Sequence, residues 1–264
     1  MLTSIYKKSK IMIKDTDLVL FAGATGGVGQ LVVAKLLEKN ISVRALTRDY
    51  DKAYRMFGNG VEIVVGDIRY FDKLTSITEN VTHIICCTGT TAFPSFRWDF
   101  KSLFEGTNTP QKVDAEGIQN LVIAAPKTID RFVFISSCGV LRKNDFPFNI
   151  LNAFGVLDAK LQGEAAIRTS GLPYTIIRPA RLIDGPYTSY DLNTLLRAKT
   201  NGEKAVVIGT GDTINGETSR IDVANACVAC LDYNTTVNKA FEIVNSGEKE
   251  KLSTTNWESL FSQI

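Results

Sequence analysis

Apolar and polar positions follow two rhythms along this chain. Short, nearly continuous apolar runs rich in β-branched residues occur at 18–22 (LVLFA), 42–46 (SVRAL), 61–65 (VEIVV), 83–87 (HIICC), 131–136 (RFVFIS) and 174–178 (YTIIR). Between them lie longer segments with helical spacing, chiefly 28–40, 113–125 and 152–170. Buried strands separated by helices predict a parallel sheet covered on both faces, and right-handed crossovers make that a doubly wound α/β fold. After Arg178 the rhythm loosens into turn-rich segments and a late strand at 240–244. The expectation is a single domain over 17–264, with a core at about 17–180 and a small C-terminal cap at about 181–264. Residues 1–16 form an N-terminal extension.

Composition narrows the class. Hydrophobic residues make up 44% and charged residues 22%, enough for a core and too apolar for a disordered chain. With 30 basic against 28 acidic residues, nothing suggests the concentrated basic face that nucleic acid requires. No apolar run reaches membrane-spanning length, so an integral membrane protein is not expected. The first residues are basic and lack the apolar stretch of about 7–15 residues of a secretory signal; a targeting remnant and a frayed extension both fit. The five cysteines suit buried thiols in a reducing compartment, and Cys227 and Cys230 fall in a helical apolar pattern that reads as core.

The candidate chemistry begins in LVLFAGATGGVGQLVVAKLL, a strand, a glycine turn and a helix in succession. Gly23, Gly26 and Gly29, with Gly27 between them, allow the backbone of Thr25 and Val28 to approach a pyrophosphate at the helix N-terminus. The second strand ends in Thr47 and Arg48, with Arg44 on the strand, and Asp49 comes one residue late for a carboxylate holding a ribose 2′-hydroxyl. A guanidinium forks onto phosphate oxygens, so NADP(H) is the expected cofactor. Ligands of such sheets sit at the C-terminal strand ends. That places Asp67 and Ile68 beside the adenine, Thr88 and Gly89 under the cofactor, and Ser136 and Ser137 near the nicotinamide. His83, the only histidine, opens its strand at the wrong end and reads as structural.

Together these residues resemble the atypical short-chain dehydrogenase/reductases, in the NmrA-like, NAD(P)H-binding branch with its Rossmann fold. The strings TGTTAFPSFRW, NTPQKVDAEGIQNL, RPARLIDGPYTSYDLNTLL and AVVIGTGDTINGETSR further resemble plant and algal plastid proteins of unassigned activity, which implies the plastid stroma; without the resemblance the expectation is cytoplasmic. The superfamily carries a Tyr-x-x-x-Lys pair on the helix after the fifth strand and a serine at that strand's end. By resemblance Lys160 and Ser136 or Ser137 fill catalytic places, Lys160 also holds the nicotinamide ribose, and Glu164 and Arg178 belong to the surroundings, Arg178 on the cofactor side. The tyrosine position is Val156, which donates no proton.

Tyr187, Tyr190 and Cys138 are the alternative donors, although packing explains the tyrosines more simply. The 88–110 connection is long and carries Phe93, Phe96, Trp98, Phe100 and Phe104, suited to a small apolar substrate or to a protein partner. Residues 145–157 share that ambiguity. The missing tyrosine favours a cofactor-responsive binding or assembly protein; the alternative is an NADPH-dependent reductase of a flat apolar, quinone-like or unsaturated carbonyl compound.

Overall fold

The computed structural model describes residues 12–93, 106–183, 204–248 and 254–264. Its sheet is built on β1 (Leu18–Ala22), β2 (Ser42–Thr47), β3 (Glu62–Val65), β4 (His83–Cys86), β5 (Arg131–Ile135) and β6 (Tyr174–Pro179), all parallel. Their spatial order, β3-β2-β1-β4-β5-β6, reverses direction at β1, the mark of a doubly wound sheet. The six apolar runs coincide with these six strands to within a residue or two at the ends.

Strand alternation explains the two covered faces. Val19 and Phe21 of β1 point into one core with Leu31, Val32 and Leu36 of α1 (Gly29–Glu38). Leu20 and Ala22 point into a second core with Ile118 and Leu121. The 113–125 periodicity resolves into a wide π-turn, Gln111–Gly117, running into an α-helix, Ile118–Ala124. The remaining helices used below are α2 (Tyr50–Phe57), a single turn at Phe148–Leu151, and the long helix Val156–Thr169 after β5.

The C-terminal region does more than lie over the strand ends. Its long strand Lys239–Glu248 pairs in parallel with β6 and extends the sheet, and Lys204–Gly209 pairs antiparallel with it. The helix Arg220–Asp232 packs on α1's face of the sheet, with Cys227 and Cys230 fully buried there. Burial pushes the Cys230 thiol up to about 12. Both cysteines are free and serve as core.

Candidate cofactor and substrate site

The chain leaves β1 through Gly23, whose φ of +90° suits glycine. A Cβ there would lie 2.9 Å from the backbone of Cys87 and Thr88, and one at Gly29 would lie 2.1 Å from the Gly23 carbonyl oxygen. The turn is therefore closed tightly between the end of β4 and the start of α1. Gly26 N–H donates to Gly23 O at 3.0 Å. Helix α1 begins with no side-chain cap and no acidic residue in its first turn. Its free N–H groups and positive dipole end fit a pyrophosphate.

Beside the turn runs a cleft of about 230 Å³ at the C-terminal ends of β1 to β4. Gly23, Thr25, Gly26, Arg48, Asp67, Ile68, Thr88 and Gly89 all line it. Gly27, Val28 and Gly29 shape the turn behind it. Leu46, Lys52, Gly66, Cys87, Asn108 and Val113 also line the cleft, and sequence reasoning missed these. Lys52 sits in the first turn of α2, whose buried Ala53, Met56 and Phe57 carry the i, i+3, i+4 spacing that reveals a helix.

Charge in the cleft follows from local pairing. The Asp49 carboxylate caps α2 by accepting from Lys52 N–H at 2.9 Å, which removes it as a ribose ligand. Burial alone would raise the Asp67 pKa, but hydrogen bonds from Arg69 at 2.5–3.0 Å, with the charges of Arg69 and Arg48, hold its carboxyl below the usual range. Arg48 is exposed and donates to Asn108 Oδ1 at 3.1 Å. Arg44 is committed elsewhere, to Glu62 at 2.9 Å and to the Ile77 and Glu79 carbonyls. Arg48 and Lys52 thus give the cleft a cationic end suited to the extra phosphate of NADP(H).

Lys160 stands just beyond the cleft, beside its lining residue Gly89. Its Nζ is 2.8 Å from Asp114 Oδ1, and a Cβ at Gly89 would meet both atoms at 3.2 Å. The second Asp114 oxygen accepts from the Thr90 N–H at 3.0 Å and the Thr90 hydroxyl at 2.6 Å. Asp114 comes from the π-turn, a backbone irregularity that often marks a functional site, and no motif in the sequence pointed to it. Ser136 is buried with its Oγ unpartnered, while Ser137 Oγ donates to the Cys138 carbonyl at 3.0 Å. Neither serine lines the cleft.

Arg178 is placed differently from the expectation. It is 3% exposed and grips Glu164 with two bonds of 2.9 and 2.7 Å, with Glu242 Oε1 3.4 Å away. Its guanidinium is spent on those carboxylates and does not line the cleft, so it acts in the fold behind the site. Val156 is buried with Val140 and Leu157, and Ala92, Phe148 and Leu161 pack against them. An apolar wall stands where the superfamily has its phenol. Burial pushes the Cys138 thiol up to about 12, with Asp212 and Glu242 adding to the rise, which makes it a weak acid for this purpose. Tyr187, Tyr190, Phe96, Trp98, Phe100 and Phe104 lie outside the described residues. His83 is buried at the opposite end of the strands, where burial lowers its pKa despite Asp17 and Asp130.

Residues 23–234 match the family model described as NAD(P)H-binding. The chain belongs to this NAD(P)H-binding family. It is 34% identical over 263 residues to an uncharacterised chloroplast protein of Arabidopsis thaliana, covering 94% of this chain and 83% of that one. It is 32% identical to the chloroplast protein TIC 62 of Pisum sativum over 80% of this chain, but it spans only 39% of that protein's length. Sanguinarine reductase of Eschscholzia californica is 28% identical, with 93% of this chain and 95% of the reductase covered. Among solved structures, a putative NAD-dependent epimerase/dehydratase from Bacillus halodurans superposes with a TM-score of 0.70 at 21% identity, covering 94% of this chain and all of that one, a likeness of fold. Among the described residues no helix is long and apolar enough to cross a membrane.

Proposed function

We propose that this protein is an NADP(H)-dependent reductase of a flat, apolar, quinone-like or unsaturated carbonyl compound, working in the plastid. The observation that carries the reading is the juxtaposition of Lys160, fixed by buried Asp114 beside Gly89 of the cleft, with the apolar wall around Val156 one helical turn away. The near end-to-end similarity to a reductase supports it, and the chloroplast names of several relatives support the compartment. This reverses the preference that the missing tyrosine alone suggested.

The cofactor supplies hydride when bound. The chain's own contributions are distinct. The glycine turn and the N-terminus of α1 hold the pyrophosphate. Arg48 and Lys52 would hold the additional phosphate, and Lys160 would donate to the ribose hydroxyls. The apolar cluster at Val140, Val156 and Leu157 backs the place where a flat ring would lie. A quinone-type acceptor develops charge on an oxygen basic enough to take its proton from solvent, so no phenol is required at Val156.

One observation favours a second reading, a cofactor-responsive protein that docks onto a partner. Phe146, Ile150, Leu151 and Phe154 are exposed near Phe93, which meets Phe154 edge to face at 6.1 Å. The test is steady-state NADPH oxidation over a panel of quinones, unsaturated carbonyls and aldehydes. Saturable turnover that prefers flat acceptors and falls with Lys160→Met is expected. Tight NADPH binding with no turnover of any acceptor would overturn the reductase reading in favour of docking.

A further inference from the structure

At the N-terminal ends of the strands, opposite the cofactor cleft, Asp17, His83 and Asp130 bring a ring nitrogen and two carboxylate oxygens within 4.8 Å of one another. The parallel sheet makes this cluster. Asp17 immediately precedes β1, His83 opens β4 and Asp130 immediately precedes β5, and these strands are neighbours in the order β1-β4-β5. Register pairs Val19 with His83 and His83 with Arg131, so three consecutive strand entries converge at one point.

His83 is only 4% exposed, and its Nδ1 lies 2.8 Å from Thr82 Oγ1. The same hydroxyl accepts from Leu18 N–H at 3.1 Å and lies 3.3 Å from Leu18 O. In the tautomer with the ring proton on Nδ1, that proton goes to Thr82 Oγ1 and the Thr82 proton to Leu18 O. Nε2 is then left with its lone pair, and it makes no hydrogen bond among the described residues. Orientation of one ring nitrogen by a hydroxyl while the other stays open is the arrangement found around metal-ligating histidines. Asp17 receives the Lys14 N–H at 2.7 Å, and neither it nor Asp130 enters an ion pair among the described residues. The Arg131 guanidinium is instead turned to Thr175, Thr236 and the Cys230 carbonyl.

In that tautomer the imidazole lone pair faces two carboxylates, an arrangement that a cation between them relieves. We propose that Asp17, His83 and Asp130 form a site for a first-row divalent transition ion of the Zn²⁺ class, with water completing the shell. Imidazole among the ligands selects against Mg²⁺ and Ca²⁺, which take oxygen. The ion would clamp three strand entries together, far from the cofactor and independently of any turnover.

The test uses the full chain after chelator treatment, titrated calorimetrically with Zn²⁺ and with Mg²⁺ as control. One Zn²⁺ per chain should bind saturably and raise the melting temperature. His83→Asn and Asp17→Asn should each weaken binding by at least about tenfold, the lower end of what loss of even an outer-shell partner costs. Asp130 is exposed, so Asp130→Asn repeats the test without disturbing the core should the His83 variant fail to fold. Co²⁺ substitution separates this site from the five cysteines: nitrogen and oxygen ligands give no thiolate charge-transfer band. Absence of saturable binding, equal affinity for Mg²⁺, a thiolate band, or undiminished binding in Asp130→Asn would each overturn the proposal, leaving a proton on Nε2 as the bridging cation.

Discussion

The Lys160 ammonium stands 2.8 Å from the carboxylate of Asp114, whose side chain is fully buried while that of Lys160 is 11% exposed. Removing either partner strands the other. Lys160→Ala leaves an uncompensated buried carboxylate and should cost about 3–5 kcal/mol of stability by the usual cost of breaking such a pair. The loss of NADPH affinity in that variant would then mix unfolding with lost contact. The double variant Lys160→Met with Asp114→Asn separates them, since it removes both charges. Denaturant midpoints should recover most of the stability, while calorimetric NADPH affinity stays reduced. Recovery of both would show that Lys160 serves the fold and not the ribose.

Arg48 and Lys52 line the same cleft, and the proposed NADP(H) reading has them hold the additional phosphate. Arg48→Ala should weaken NADPH by about 1.5–3 kcal/mol, the value of a hydrogen bond to a charged group, and leave NADH nearly unchanged. Lys52→Ala should act in the same direction. Its ammonium lies in the first turn of α2, so a control for helix content by circular dichroism is needed. Equal losses for both cofactors would place the two residues on the shared part of the nucleotide.

Much of this site was legible because parallel strands fix where ligands go. The glycine turn, Arg48, Asp67, Ile68, Thr88 and Gly89 each follow a strand end directly, so finding the strand finds the residue. Asp114 was not legible because it depends on a π-turn: one extra residue per turn rotates a carboxylate inward, and nothing in the apolar spacing of 113–125 encodes that rotation. The pairing of Arg178 was not legible for a related reason. A strand-end arginine reads as a ligand until its partner is known, and Glu164, fourteen residues earlier, is visible as that partner only once the helix packs on β6. The His83 cluster required the register of three strands, which composition does not carry.

Acid should act on Asp67 in a defined direction. Its folded pKa is held below the ordinary 3.8. A depressed carboxylate contributes stability that is fully present above its unfolded pKa and is lost as pH falls through the folded value. The stability difference between wild type and Asp67→Asn should therefore be constant from pH 5 upward, to about pH 8, and shrink only below about pH 4. Urea denaturation at a series of pH values checks this. A difference that already fades near pH 6 would mean that the Arg69 bonds do not form in solution.

Val156 is the position at which the superfamily's proton donor is missing, and its surroundings decide what a phenol would do there. It is 5% exposed and packed with Val140, Leu157, Phe148 and Leu161. Val156→Tyr adds a ring to that wall, and overpacking of this kind costs about 1–3 kcal/mol. Val156 does not line the cofactor cleft, so NADPH affinity should hold. Under the proposed reductase reading, turnover of flat acceptors should fall, because the added ring would fill the place proposed for them. A rise in aldehyde reduction toward the roughly 10²–10⁴-fold of a positioned acid would mean the wall yields and that only the acid was missing. Steady-state NADPH oxidation with quinones and aldehydes, measured beside thermal denaturation of both proteins, distinguishes the outcomes. Loss on quinones together with no gain on aldehydes is the pair expected if the proposed reductase draws its proton from solvent, since it would then have use for an apolar surface at this position and none for a phenol.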